Sequence, residues 1–296
     1  MSNKKLGFVF DSFICMSKEF LDKHNYGYAP FITTIDDNSY VDGIDLNQKD
    51  VIEKIKNGTD LKSSMPTIES FTKAIETKSK EYDDVLVLGI SSCLSSAYNA
   101  AKLVAKDFPN VHVYDNTWGA EQYLVVADYI SKVYEANDGN MDIVFAELDK
   151  IHESSLIFVL PPNVDYVIKG GRVSSFRKFL LSAMRLLTLK PYVKFYMKKA
   201  TTGGIAKSMK SGIKQIIKKF IEFANISSNR NNADDWLFHI AHGVNDEYNQ
   251  LVLDAFKAEK LNVASKCYVS SAVAVHTGPE AICFMLMPNL TKWPVK

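Results

Sequence analysis

Short apolar runs, each followed by a helical pattern, restrict this chain to few architectures. LGFVF (Leu6 to Phe10), DDVLVLGI (Asp83 to Ile90), VHVYD (Val111 to Asp115) and SLIFVL (Ser155 to Leu160) read as four strands. A strand that is apolar at successive positions is one covered on both faces. Between the runs lie TIESFTKAIETKSKEY, LSSAYNAAKLVAKDF and AEQYLVVADYISKVYEA, whose apolar residues recur at helical spacing. Strands alternating with helices of this length form βαβ units around a parallel sheet, so the expected fold class is α/β. Ligands on such sheets sit beyond the carboxyl ends of the strands. The segments to inspect for function are therefore Asp11–Ser12, Ser91 to Ser96 and Asp115 to Trp118.

The pattern changes after Pro161–Pro162. KPYVKFYMKKATTGG reads as strand and turn, KSMKSGIKQIIKKFIEFA and Asp246 to Lys260 as helices, and AICFMLMP as a last strand. The late strands alternate more, as antiparallel strands do. A chain of 296 residues accommodates two domains. The expected division is an N-terminal α/β domain with a mainly parallel sheet (1–160), a C-terminal α/β domain with a mixed or antiparallel sheet (161–290) and a tail (291–296). Hydrophobic residues at 47% and charged ones at 23% suit a well-formed core. A net charge of +1 gives no reason to expect nucleic acid or an anionic membrane as partner. No apolar run approaches a membrane span, and MSNKKLGFVFDS lacks the apolar stretch of a secretory signal. A cytoplasmic location without stable membrane insertion is expected. Cys15, Cys93, Cys267 and Cys283 are scattered with no C-x-x-C pair, which argues against a disulfide framework or a zinc site.

Three hydroxyl clusters carry the chemistry. LKSSMPTIESF holds Ser63 and Ser64 before a helix; GISSCLSSAY holds Ser91, Ser92, Ser95 and Ser96 between a buried strand and a helix; VHTGPEA holds His276, Thr277 and Gly278, expected to follow a strand. Hydroxyls and free N–H groups at such junctions can bind a carboxylate or phosphate without any lysine. Each cluster alone reads as a cap or turn; three in one chain, two of them after parallel strands, point to a shared site. VIKGGRVSS (Val167 to Ser175) is a further basic, glycine-containing turn before an apolar helix, readable either as an anion site or as a helix cap. Standard motifs are missing: GISSC is not G-x-S-x-G, and neither a P-loop nor a G-x-G-x-x-G fingerprint occurs. His239 and His242 would point to opposite faces of a strand, so a shared metal is not expected.

Read in order, the motifs resemble those of the DegV family of bacterial fatty-acid-binding proteins. FDS (Phe10 to Ser12) is similar to the family's T-D-S, YVDGIDL (Tyr40 to Leu46) to Y-x-D-G-x-D, and SSMPT (Ser63 to Thr67) to T-S-Q-P-S. SSCLSSAYNAA (Ser91 to Ala101) is similar to S-S-x-L-S-G-T-Y-x-x-A, IKGGRVS (Ile168 to Ser174) to L-K-G-G-R-I-S, and HTGPEA (His276 to Ala281) to H-T-G-P-G-A. The resemblance implies two α/β domains enclosing a long-chain fatty acid. It implies a carboxylate held by Ser63 and Ser95 with His276 close by, and Ser64, Ser96, Thr277 and Gly278 supporting that head-group loop. It further implies no cofactor and no catalysis by this chain alone: the acid is presented to a separate fatty-acid kinase, and the acyl-phosphate formed enters phospholipid synthesis. Arg172 is then expected to tie the domains or face the kinase, while Leu180, Met184 and Leu187, on one face of the following helix, would line the acyl tunnel. The competing reading is an acyl-ester hydrolase using Ser95 and His276. The chain departs from the family pattern at Ser63, Met65, Ser96 and Glu280, where the family has Thr, Gln, Gly and Gly, and its basic residues after the second-domain hairpin are lysines (Lys198, Lys199, Lys207, Lys210).

Overall fold

A computed structural model describes residues 4–166 and 189–295. The first sheet is wholly parallel, in the order β2-β1-β6-β7: β1 (Leu6–Asp11), β2 (Gly27–Ala29), β6 (Asp84–Leu88) and β7 (Val111–Tyr114). Every residue of β1 is buried because helices cover both faces. Phe8, Phe10, Leu86 and Leu88 pack against α5 (Gln122–Ala136) and α6 (Met141–Glu153). The intervening Val9, Val85 and Val87 pack against α3 (Ile68–Glu81) and α4 (Ala97–Ala105). The period-two alternation of a strand thus supplies two cores from one apolar run.

A second, mixed sheet has six strands in the order β10-β9-β8-β13-β11-β12. They are β8 (Leu156–Leu160), β9 (Lys190–Tyr196), β10 (Lys199–Ala206), β11 (Trp236–His242), β12 (Val263–Tyr268) and β13 (Ile282–Pro288). One face, with Phe158, Leu160, Phe284 and Leu286, is covered by α7 (Met209–Phe223) and α8 (Asp246–Ala258). The other face, with Ile157, Val159, Ala241, Cys283 and Met285, turns toward the loops of the first unit. A small antiparallel sheet has the order β4-β3-β5: β3 (Ile32–Ile35), β4 (Asn38–Val41) and β5 (Leu61–Ser64). The helices α1 (Lys18–Lys23), α2 (Gln48–Asn57) and α9 (Ser271–Thr277) complete the set used below.

The α/β class, the parallel first sheet and the mixed second sheet agree with the sequence. Three local expectations change. SLIFVL joins the second sheet, antiparallel to β13 and β9, rather than the first. It is buried on both faces in either setting, so its composition is the same. The late strands are not all antiparallel, since β12 runs parallel to β11. His276 and Thr277 end a helix, α9, rather than following a strand. The turn at 167–175, together with Arg172, Leu180, Met184 and Leu187, lies outside the described residues.

Candidate functional site

Between the inner face of the second sheet and the carboxyl ends of the first lies an apolar cleft. Its empty volume, which includes the solvent at its open mouth, is about 1210 Å³. The floor is Ile157, Val159, Val193, Phe195 and Met285 from the second sheet. The opposite wall is made by the loop after β1 (Phe13, Cys15), the loop after β6 (Ile90, Ser91, Leu94) and the loop after β7 (Thr117 to Ala120). These are the three segments that follow parallel strands, where such sheets place their ligands. His276 and Thr277 are also on its lining.

His276 links this lining to Ser63. Its Nε2 is 2.7 Å from Ser63 Oγ, joining residues 213 apart in sequence. Ser63 is the third residue of β5, half-buried, while Ser64 is exposed. Helix α9 is seated by contacts to the small sheet's neighbourhood. Asp42 Oδ1 accepts from the Ser271 backbone N–H at 2.9 Å and from Ser271 Oγ at 2.5 Å, and Thr33 Oγ1 lies 2.8 Å from the same hydroxyl. Burial pushes the Asp42 carboxyl above the usual range, against the two bonds from Ser271. At the other end of α9, Thr277 Oγ1 donates to Val273 O, and Gly278 takes φ +94, a conformation that favours glycine. A Cβ at Gly278 would also come within 3.0 Å of Tyr166.

The second hydroxyl loop is adjacent. Ser96 Oγ donates to the Met65 thioether at 3.2 Å, linking the segment after β6 to the segment after β5. Ser95 is buried, and its Oγ accepts from the Ala97 N–H at 3.2 Å; one accepted bond leaves its O–H to donate. Asp115 gathers Ser92 N–H at 2.9 Å, Ser92 Oγ at 2.5 Å and Ser91 Oγ at 3.3 Å. Asp11 anchors the base of the loops: its two oxygens accept from Phe13 N–H at 2.9 Å and Ile90 N–H at 2.8 Å. Burial raises its carboxyl to about 7 in spite of these bonds. Gly89 is required beside it, since a Cβ there would lie 2.5 Å from Asp11 Oδ2.

The structure therefore pairs Ser63 with His276, which lines the cleft together with Thr277, and ties Ser96 to Met65 in the segment after β5. For the hydrolase reading, it is Ser63 that stands at His276 Nε2, while the Ser95 hydroxyl is engaged with the start of α4. Glu280 is held by Lys56 at 3.2 Å and by Asn245 Nδ2 at 3.3 Å, so its charge is partly compensated by α2. Lys198 sits 5.7 Å over the Tyr114 ring and ties the β9–β10 hairpin to the first unit. The seating group Asp42–Ser271–Thr33 was not foreseen as such. Asp42 lies in YVDGIDL, but its contact to Ser271 spans 229 positions.

A family model described as uncharacterised protein, DegV family, matches residues 5–289. A DegV domain-containing protein of Mycoplasmopsis pulmonis is 24% identical over 283 residues, covering 96% of this chain and 95% of that protein. Among solved structures, a DegV family protein from Thermus thermophilus described by its fatty-acid binding superimposes with a TM-score of 0.81 at 20% identity, over 96% of this chain and 99% of that one. A stearic-acid-binding protein from Eubacterium ventriosum superimposes with a TM-score of 0.79 at 23% identity, over 97% and 99%.

Proposed function

The chain belongs to the DegV family, and from that premise we propose that it holds one long-chain fatty acid in the cleft and presents the carboxylate to a separate kinase. The observation that carries this reading is the apolar cleft lined by His276, whose ring pairs with Ser63. The fatty acids named for the Thermus and Eubacterium proteins support the ligand class. An acyl chain of about 16 carbons gains up to ~0.8 kcal/mol per buried CH₂, roughly 12 kcal/mol before costs. Affinity then comes from the tail, and the head group needs orientation. Ser63, Ser95 and His276 hold the carboxylate, with Ser64, Ser96, Thr277 and Gly278 shaping the loops around it. The neutral hydroxyls leave the carboxylate oxygen nucleophilic. That oxygen attacks the terminal phosphorus of a nucleoside triphosphate supplied by the kinase; the bond to the nucleoside diphosphate breaks, and the acyl-phosphate leaves with the binding protein.

On this reading the protein is a cytoplasmic lipid carrier of phospholipid metabolism built from two units. Arg172 faces the kinase or ties the units, and Leu180, Met184 and Leu187 line the tail. Native mass spectrometry of the purified chain tests the carrier role. A co-purified fatty acid, exchanged by added acid, supports it. A protein that neither retains nor takes up fatty acid, or that turns over acyl esters until Ser95 is changed to Ala, contradicts it.

A further inference from the structure

Three of the four cysteines, scattered in the sequence, meet in the fold. Cys15 lies in the loop after β1, Cys267 on β12 and Cys283 on β13, all in the packed cluster that also holds Ala241. All are free thiols. Ala241 of β11 pairs with Cys267 on one side and with Cys283 on the other. Those two are therefore two strand spacings apart, roughly 9–10 Å, beyond the ~7 Å Cα separation that a disulfide tolerates. Cys15 comes instead from the opposite wall of the cleft, and its thiol is in hydrogen-bond contact with that of Cys267. The Cys15–Cys267 pair is thus the one placed for bridging.

The two thiols differ in access. Cys15 is 5% exposed, and its bond to Cys267, together with burial, holds the thiol well above its ordinary range. Cys267 is half-buried on β12, the last strand in its sheet's order, so a small oxidant in solvent reaches it first. Burial pushes the Cys283 thiol up to about 12, which keeps it out of this chemistry.

We propose that Cys15 and Cys267 form a thiol-oxidation site for hydrogen peroxide, and that their disulfide restrains the wall of the cleft. The Cys267 thiolate attacks one peroxide oxygen. The O–O bond breaks, hydroxide leaves and takes up the thiol's proton, and Cys267 becomes a sulfenic acid. The Cys15 sulfur then attacks the Cys267 sulfur, and its own proton goes to the departing hydroxide. The two thiols lose two electrons, and one peroxide is reduced to two waters. A thiol reductant reverses the change. The bridge joins two segments of the lining: Phe13 and Cys15 after β1, and Val269, Ala272 and Val273 just past Cys267. Tying them together restrains the opening motions by which a cleft releases its ligand. That the ligand is a fatty acid rests on the reading above.

The test uses the full chain with its cysteines reduced. It is treated with hydrogen peroxide and mapped by mass spectrometry of unreduced peptides. A Cys15–Cys267 cross-link is expected, with the thiols titratable after denaturation falling from four to two. Dithiothreitol should restore all four. Octadecanoic acid, loaded before oxidation, should pass to acceptor phosphatidylcholine vesicles several-fold more slowly from the bridged chain than from the reduced one. Cys267→Ser should show neither the cross-link nor the slowing, and it carries the test should Cys15→Ser fail to fold. Oxidised Cys267 without a cross-link, or a cross-link that leaves release unchanged, overturns the proposal and leaves fatty-acid binding standing. Failure of octadecanoic acid to bind the reduced chain overturns both.

Discussion

At the scale of single residues, the Ser63 hydroxyl and the His276 ring, 2.7 Å apart, are the pair proposed above to place the head group. Hydrogen bonds to a charged group are worth about 1.5–3 kcal/mol each, against roughly 12 kcal/mol gross from the tail. Ser63→Ala should therefore keep near-normal lipid occupancy, while acyl-phosphate formation with the cognate kinase falls at least about tenfold, because a misplaced nucleophile loses rate more than binding. Occupancy by native mass spectrometry alongside acyl-phosphate yield checks this; loss of both together would mean that Ser63 holds the fold rather than the ligand. Ser95→Ala should cost about 1 kcal/mol of stability through the lost bond to Ala97 N–H, and should also lower acyl-phosphate yield. Unchanged yield at a temperature where the variant is fully folded would leave Ser95 as a cap alone. Ser91 to Ser96 were legible in the sequence because they sit between β6 and α4, where exposed N–H groups gather, whereas Ser63 lies within β5. Asp42 was visible only as a letter in a motif, since its partner Ser271 is brought to it by tertiary packing.

At the scale of elements, α9 is the part whose position decides whether the site exists. It has seven residues, too few for a helix stable by itself. SAVAVHT, rich in β-branched and small residues, reads as readily as a strand. Its helical state is fixed by contacts outside itself: Asp42 and Thr33 at the Ser271 end, and the turn at Gly278 after its last residue. Sequence periodicity cannot report such contacts, and the strand expected before His276 gave way to them. Asp42→Ala leaves the Ser271 N–H and hydroxyl without their carboxylate, and should destabilise the protein by about 2–4 kcal/mol in denaturant unfolding. It should also lower acyl-phosphate yield at temperatures where the chain is folded, because His276 rides on the same helix. Wild-type stability would show that α9 is seated by other contacts. The strand β8 was misplaced for a different reason. A run buried on both faces has no polar residue to reveal its neighbours, so Leu156 to Leu160 fits either sheet.

At the scale of the whole molecule, the loops of the first sheet meet the inner face of the second across the cleft, and the burial of ionisable groups in the fold sets a pH dependence. Burial holds His152 and His239 down at about 4 and also lowers His242. Each binds a proton more readily when unfolded, and His152 and His239 contribute stability that is lost as pH falls from about 6.5 toward 4. Asp11, raised to about 7, and Asp42, also raised, act in the opposite sense: folded, they keep a proton that the unfolded chain releases above about 3.8. The two imidazoles held at about 4 outweigh the one carboxyl raised to about 7, so the unfolded state binds more protons across this window and stability should fall on acidification. Thermal unfolding at about pH 5 should give a lower Tm than at about pH 6.5; an equal or higher Tm would contradict the balance. The alternation of strands and helices and the hydroxyl clusters at their junctions made the class of fold and one end of the site readable. The cleft itself, formed where loops of one sheet meet the face of another, has no signature along the chain. Its occupancy is the central claim, and a crystal structure of the chain loaded with octadecanoic acid tests it most directly. The predicted result is a tail between Phe195 and the loop after β7, with a carboxylate oxygen within hydrogen-bond distance of Ser63 Oγ. An acid bound elsewhere, or in the cleft with its carboxylate away from Ser63 and His276, would contradict the account.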